Sequence, residues 1–280
     1  MAANVDPSLK ALLPDVAAGL LHAVPGRFGL PVAGICGAQG SGKTTLAHAL
    51  EAELAAQGVR ALTLSLDDFY LPKAERLALA QDVHPLCATR GVPGTHDMAL
   101  FADVLARLAA ASPDAETPIP QFSKLDDDRL PFADWPRISG RPDIVLFEGW
   151  CVGASPLAAS ALEAPANALE ASEDADGVWR CWLNGCLARD YWPLWQDLAP
   201  LILIRVPGLE SVVQSRLIQE AGLAAADPLK PRMDEAAVRR FVAHYERLTR
   251  HIWAEMPARA HLVLDRDDGF SFSIAAPISN

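Results

Sequence analysis

No stretch of this chain comes near the roughly 20 consecutive apolar residues that cross a bilayer, and no internal repeat is found. Positive charge is scarce. Against 35 aspartates and glutamates stand 24 lysines and arginines, a formal net charge of −11. That balance argues against nucleic acid or an anionic membrane as the main partner, because both select basic surfaces. An acidic substrate must then be met by a local cluster of Arg, Lys and His, working against the overall field. The first residues, Met1 to Asp6, lack the basic segment that opens a secretory signal. Cysteines number five, an odd count, and they are scattered. Cys181 and Cys186 are too far apart for a C-x-x-C pair and no second pair exists, so neither a zinc site nor a disulfide framework is expected. Reduced, structural thiols and a cytoplasmic location follow. An Asn-Lys-x-Asp segment for reading guanine is also missing, which counts against a GTPase switch.

What is present suits a globular domain with a sizeable core: 51% hydrophobic and 21% charged residues in a chain of 280. One domain spanning 1–280 is expected, with an N-terminal helical cover over about 1–28 and a lid-like segment over about 216–235. The chain is organised around Gly37-Ala38-Gln39-Gly40-Ser41-Gly42-Lys43-Thr44, with Thr45 following, a match to G-x-x-x-x-G-K-[ST]. Glycines there let the backbone curl so that successive N–H groups point into one concavity and meet phosphate oxygens. Lys43 is placed to reach the β- and γ-phosphates, and the Thr44 hydroxyl to ligate Mg²⁺. The apolar run Val32 to Cys36 reads as a buried strand before the loop. Thr45 to Gln57 reads as a helix after it, with Gly58 at its C-terminal cap. The positive end of that helix adds to the anion site.

Further along, Val59 to Leu66 reads as a second strand that stops on Asp67-Asp68-Phe69-Tyr70. Ligands of open α/β sheets sit at the carboxyl ends of the strands. Asp67 is therefore the candidate base for a hydroxyl attacking phosphate, with Asp68 in reserve. Arg90 to Asp97 forms a glycine- and proline-rich loop in which Arg90, His96 and Asp97 can face a substrate, and Asp97 also suits the N-cap of the next helix. Lys124 and Arg129 flank an acid run, Asp126-Asp127-Asp128, that reads as a solvated loop. They are candidates for pairing with a bound carboxylate. Ile144 to Gly149 is a third buried strand, and Glu148 near its end is the acid expected to hold Mg²⁺ with Thr44. Ser8 to Val24 reads as a helix broken or started at Pro14, and Gly153 to Asp176 as surface helix and loop. The aromatic cluster from Trp179 to Trp195 reads as packing. Leu201 to Val206 is a fourth strand. Arg216 approaches the lid and is a candidate for stabilising transferring charge. Val238 to Ile252 reads as one long amphipathic helix, and His261 to Asp265 as the closing strand.

Three segments together carry a resemblance: Leu66 to Pro72, Arg90 to Asp97, and Phe147-Glu148-Gly149-Trp150. They resemble the D-glycerate kinases of the P-loop type, in the phosphoribulokinase, uridine kinase and pantothenate kinase group. Asn167 to Glu170, Asp174 to Arg180 and His244 to His251 are similar to the bacterial branch of that family. The resemblance runs from the P-loop to the last strand. It implies a three-layer α/β/α fold of the P-loop NTPase type, with a mainly parallel five-stranded sheet and a mobile lid. It implies ATP with Mg²⁺ as donor and a small hydroxy acid as acceptor. Asp67 matches the family's catalytic aspartate and Gly37 to Thr45 its ATP-phosphate loop. Tyr70, Arg90, His96, Asp97, Lys124 and Arg129 fall in segments that look like its acceptor site. Phe122-Ser123-Lys124 departs from the family's usual Phe-Asp-Lys toward a pantothenate-kinase element. Pantothenate or a nucleoside as acceptor, and a nucleotide-binding switch or degenerate kinase without transfer, stay open as rival readings.

Overall fold

The computed structural model describes residues 5–23, 25–226 and 232–276. Its strands in chain order begin with β1 (Val32–Gly37) and β2 (Ala61–Ser65). Two short antiparallel ribbons follow, β3 (Glu116–Pro118) with β6 (Arg137–Ser139), and β4 (Phe122–Ser123) with β5 (Asp128–Arg129). Then come β7 (Ile144–Gly149), β8 (Leu201–Arg205), β9 (Leu262–Arg266) and β10 (Phe272–Ala276). The helices are α1 (Pro7–Leu20), α2 (Lys43–Ala56), α3 (Lys73–Asp82), α4 (Met98–Ala110) and α5 (Ala168–Glu173), followed by α6 (Val178–Cys186), α7 (Trp192–Trp195), α8 (Leu209–Ala226), α9 (Glu235–Ala243) and α10 (Glu246–Glu255).

The central sheet runs β10-β9-β8-β1-β7-β2. Every pairing from β9 to β2 is parallel, which gives the expected five parallel strands. The sheet has a sixth strand, however: β10 folds back antiparallel onto β9. A parallel sheet must be covered on both faces, and the strands show why this one is. Ala33, Ile35, Leu146, Ile202 and Leu264 pack on one side against Leu9, Val16 and Leu20 of α1 and Leu46, Leu50 and Leu54 of α2. Val32, Cys36, Val145, Phe147 and Leu203 pack on the other side against Phe101, Val104 and Leu108 of α4 and against Trp195. The result is the three-layer arrangement read from the sequence.

Several local expectations are corrected. Pro14 lies inside α1 without dividing it. The stretch 238–252 is not one helix. His244 and Tyr245 close tight turns onto Phe241 and Val242 and separate α9 from α10. The break sends the Tyr245 ring inward against Trp150, 4.9 Å between centroids, and its hydroxyl donates to the Arg90 carbonyl at 2.8 Å. Around 153–176 the surface reading fails for two acids, Glu170 and Asp174, which are buried, and holds for Glu163, Glu173 and Asp176, which are exposed. Asp174 accepts the backbone N–H groups of Trp179 and Arg180 and pairs with the buried Arg180 guanidinium at 3.0 Å. The aromatic segment does pack, with Trp179, Tyr191 and Trp195 buried. Of the lid-like segment, α8 reaches Ala226 and 232–235 are described, while 227–231 lie outside the described residues. All five cysteines are free thiols, four buried and Cys181 exposed. Among the described residues no helix is long and apolar enough to cross a membrane.

Candidate active site

β1, the loop after it and α2 follow one another as the phosphate-binding motif requires. Gly40 and Gly42 take φ of 74° and 95°, the left-handed region that side chains avoid. A Cβ on Gly40 would also lie 2.5 Å from Ser215 Cβ of α8, so the loop is pressed against that helix. α2 starts at Lys43, and the first N–H groups of a helix have no acceptor within it. They are left pointing out of the helix end at the loop, where an anion is favoured.

Sheet register brings the next pieces alongside. Glu148 of β7 lies beside Ile35 of β1 and Ser65 of β2. Its Oε1 accepts the hydroxyls of Thr44 and Ser65, each at 2.9 Å. Its Oε2 is buried without a hydrogen bond and lies 3.9 Å from Lys43 Nζ. Hydroxyl and carboxylate oxygens with one carboxylate oxygen unspent fit a hard cation of the Mg²⁺ type. Among the described residues no three His, Cys, Asp or Glu side chains gather as a metal cluster. Mg²⁺ requires none, since it keeps waters and binds through one or two carboxylates plus phosphate oxygens.

The turn after β2 is a 3₁₀ segment, Leu66–Phe69, which Ser65 caps by accepting the Asp67 N–H. It displays Asp67 at the carboxyl end of the sheet. Asp67 Oδ1 accepts the Tyr70 hydroxyl and Oδ2 accepts Lys124 Nζ, both at 2.7 Å. Burial alone would push its carboxyl up, but the charges of Lys124 and Lys43 and the two hydrogen bonds outweigh it and bring the pKa down to about 2. Asp68 behaves oppositely. Burial lifts it to about 6, Asp67 and Glu148 add to the rise, and the Phe122 N–H and Lys124 offset part of it.

Backbone pairing docks the Arg90 loop onto this turn. Leu71 N–H donates to Thr95 O at 2.9 Å, Asp97 N–H donates to Phe69 O at 2.7 Å, and Tyr70 and His96 form an antiparallel bridge. Tyr70 and His96 stack at 4.8 Å. The β4–β5 ribbon closes the third side. Phe122 N–H donates to Asp68 Oδ1 at 3.2 Å, and Arg129 bonds the Tyr70 carbonyl and pairs with Asp97 at 3.2 Å. Asp67, Tyr70, Arg90, His96, Asp97, Lys124 and Arg129 are thus brought together from three separate segments. Asp97 is also the N-cap of α4, accepting the Leu100 N–H at 2.9 Å, as its position suggested. His96 and Asp97 further line an open cleft of about 740 Å³ bounded by Leu79, Ala102 and Trp182.

The acid run is not a solvated loop. Asp127, with φ of 55°, places its carboxylate between two arginines: Arg90 donates to Oδ1 at 2.5 Å and Arg76 stands 3.0 Å from the same atom. Arg76 is buried and also bonds the Leu71, Ala88 and Asp127 carbonyls. Asp128 Oδ1 accepts the Lys73 N–H at the start of α3. Arg76 and the pairing of Asp127 were missed in the sequence, where the acid run read as a solvated loop, while Asp68, held there only as a reserve base, anchors the Phe122 N–H.

Arg216 does not stand open toward the loop. Its guanidinium pairs with Glu220 at 2.5 Å, bonds Gln219 and covers the Phe241 ring, although its charge still bears on Tyr245. Another arginine, with no sequence signal, bonds the helix that packs on the phosphate loop. Arg266, at the end of β9, is buried and donates to Ser215, the residue pressed on Gly40. Its guanidinium lies over the Phe270 ring, 4.5 Å from the centroid, and Nε and Nη1 have no hydrogen-bond partner among the described residues.

Comparison with known proteins is consistent with this geometry. No protein-family model matches the chain. It is 36% identical over 221 residues to the uncharacterized kinase mug58 of Schizosaccharomyces pombe, spanning 76% of this chain and 78% of that protein. To the chloroplastic D-glycerate 3-kinase of Arabidopsis thaliana it is 32% identical over 160 residues, which cover 54% of this chain and only 35% of that enzyme. The solved structure of D-glycerate 3-kinase from Cryptococcus neoformans superposes with a TM-score of 0.73 at 25% identity, over 95% of this chain and 98% of that one. A sheet with a phosphate loop and an acid at the end of the neighbouring strand, in a chain similar over three quarters of its length to the S. pombe kinase, makes this an ATP-dependent P-loop kinase belonging to the family of that kinase, with D-glycerate 3-kinases among its relatives.

Proposed function

We propose that the chain transfers the γ-phosphoryl group of MgATP to a hydroxyl of D-glycerate. The observation that carries the reading is the grip on Asp67. A carboxylate at the sheet end is held by Lys124 and Tyr70, each at 2.7 Å, and the segments that carry Arg90, His96 and Arg129 dock on the same turn. In this reading the amides of Gly37 to Thr45 and Lys43 hold the phosphates. Thr44 and Glu148 would hold Mg²⁺, which would supply positive charge against the charge that develops on the phosphates. Asp67 accepts the acceptor hydroxyl and aligns it. A carboxylate near 2 is a weak base, and that is sufficient, because phosphoryl transfer runs through a loose transition state in which positioning outweighs proton removal.

Cations in the pocket favour a small carboxylate acceptor over a nucleoside. Lys124, Arg129 and Arg90 are each paired with a carboxylate of the chain, Asp67, Asp97 and Asp127. Arg90 is half-buried and engages Asp127 through Nη1, so its remaining N–H groups are the ones suited to an incoming carboxylate. The test is ADP release with purified protein and MgATP, screened over D-glycerate, other small hydroxy acids, pantothenate and nucleosides. D-glycerate-dependent turnover with phosphoglycerate formed is the expected result. Turnover with pantothenate or a nucleoside alone replaces the acceptor, and no acceptor-dependent release with any of them ends the transfer reading.

A further inference from the structure

The two ring nitrogens of buried His96 stand in different situations. Nδ1 lies 2.8 Å from the Tyr191 hydroxyl, whereas Nε2 is buried with no hydrogen-bond partner among the described residues. The same hydroxyl accepts the Gly94 N–H at 2.8 Å. Tyr191 is itself fully buried and ends a π-helical turn, Leu187–Tyr191, between α6 and α7. Such turns recur at functional sites.

Counting donors and acceptors selects the tautomer. With the proton on Nδ1, the Tyr191 oxygen receives two donors and its own O–H finds no acceptor, while Nε2 becomes a buried lone pair with nothing to accept. Two groups are orphaned. With the proton on Nε2, Tyr191 accepts from Gly94 and donates to Nδ1, and one group is left, the Nε2–H. Buried polar groups pair wherever the chain allows, so the second arrangement holds. The ring is neutral in either case. Burial pulls His96 down to about 3, with the Asp67 charge opposing only in part. The imidazole is also one ring away from the reacting centre, because Tyr70 stacks on it and donates to Asp67.

We propose that Tyr191 is a positioning residue that locks His96 in the Nε2–H tautomer, so that the acceptor pocket presents a fixed neutral donor to an oxygen of the acceptor. The proposal deepens, and rests on, the reading of His96 as an acceptor contact. A donor of this kind pairs with a hydroxyl or carboxylate oxygen and cannot pair with an ammonium group. It adds a directional, uncharged contact to the attraction that the arginines and lysine supply.

The test combines long-range ¹H–¹⁵N spectra of the full-length protein at pH 7 with steady-state kinetics on D-glycerate. Wild type shows His96 protonated at Nε2. Tyr191→Phe removes the donor to Nδ1, so the ring divides between the two tautomers, and KM for D-glycerate rises several-fold up to roughly tenfold, with KM for ATP and kcat within about twofold. His96→Gln, whose amide N–H stands near the place of Nε2–H, keeps the acceptor KM within roughly threefold and makes it insensitive to added Tyr191→Phe. His96→Asn does not. A wild-type ring protonated at Nδ1, or a Tyr191→Phe protein with tautomer and KM both unchanged, overturns the proposal. Where Tyr191→Phe does not fold, the wild-type spectrum decides. If wild type consumes no D-glycerate, the acceptor assignment falls while the spectra still judge the role of Tyr191.

Discussion

Lys43 and Asp67 sit where charge is redistributed during transfer, and each preorganised contact of that kind is worth about 10²–10³ in turnover. Lys43→Ala and Asp67→Asn are each expected to lower kcat by at least roughly 10² in protein that still folds, and Asp67→Asn also to lower the urea midpoint, because it gives up the paired charge. Near-normal turnover of Asp67→Asn would remove the aspartate from the chemistry. The neighbouring carboxylate governs the pH response. Asp67, lowered to about 2 from 3.8, lends the fold stability that is complete above 3.8 and is lost only as pH falls through 2, far below assay conditions. Asp68 is raised to about 6, so its effect on stability has the opposite sign: present below 3.8 and lost as pH rises through 6. Protonating it makes it a poorer acceptor for the Phe122 N–H that ties down the Lys124 ribbon. KM for the acceptor is therefore expected to climb as pH drops through 6. Asp68→Asn, which keeps an acceptor oxygen but cannot titrate, flattens that limb. An unchanged limb in Asp68→Asn assigns it elsewhere. His96, held near 3, does not titrate in this range.

Elements hold these side chains in place, and their ties are ionic as well as apolar. The β4–β5 ribbon is anchored by Asp127 on Arg76, a guanidinium 2% exposed. Asp127→Ala leaves that cation without its carboxylate and is expected to cost about 1–3 kcal/mol in urea unfolding, together with a higher acceptor KM as Lys124 and Arg129 lose their register. The Arg90 arm adds little, since both partners there are about a third exposed. Asp174→Ala breaks a pair buried on both sides and is expected to cost about 3–5 kcal/mol. Its test is whether kcat and both KM values of the folded fraction stay at wild-type levels, since Asp174 touches nothing in the acceptor pocket. The break between α9 and α10 belongs to the same scale. Helical spacing of apolar residues continues through 244–245, so the periodicity shows a single helix. The turn is made by Tyr245 reaching Trp150 and the Arg90 carbonyl, partners that helical spacing does not reveal.

At the scale of the molecule, nucleotide binding and folding are linked. A ligand that binds only the folded state at a free concentration of 100 times its Kd adds about 2.7 kcal/mol. MgATP is expected to raise Tm in a concentration-dependent way, and Lys43→Ala to reduce the shift without lowering the ligand-free Tm. Equal shifts in both proteins would place the phosphates elsewhere. The net charge of −11 surrounds a pocket whose cations are nearly all matched by the chain's own carboxylates. Attraction for an acidic acceptor is therefore a short-range matter of donors already aimed, not of an overall field.

The phosphate loop, the strand before it, the helix after it, Asp67 at a strand end and Glu148 at another were all legible in the linear chain. Each rests on a local rule: a glycine needed where φ is positive, an apolar run long enough for a buried strand, an acid at its carboxyl end. Those rules act over a few residues, so neighbours in sequence suffice to state them. The grouping of Arg76 with Asp127, of Tyr191 with His96 and of Arg266 with Ser215 had no such signature. Their partners lie far apart along the chain, 51, 95 and 51 residues for the side-chain pairs named. They meet because the strand order β10-β9-β8-β1-β7-β2 and the two packed faces carry distant segments to one sheet edge or one loop. A buried charge or hydroxyl acquires its role from whatever polar atom folding leaves within reach, and that is a property of the packed interior.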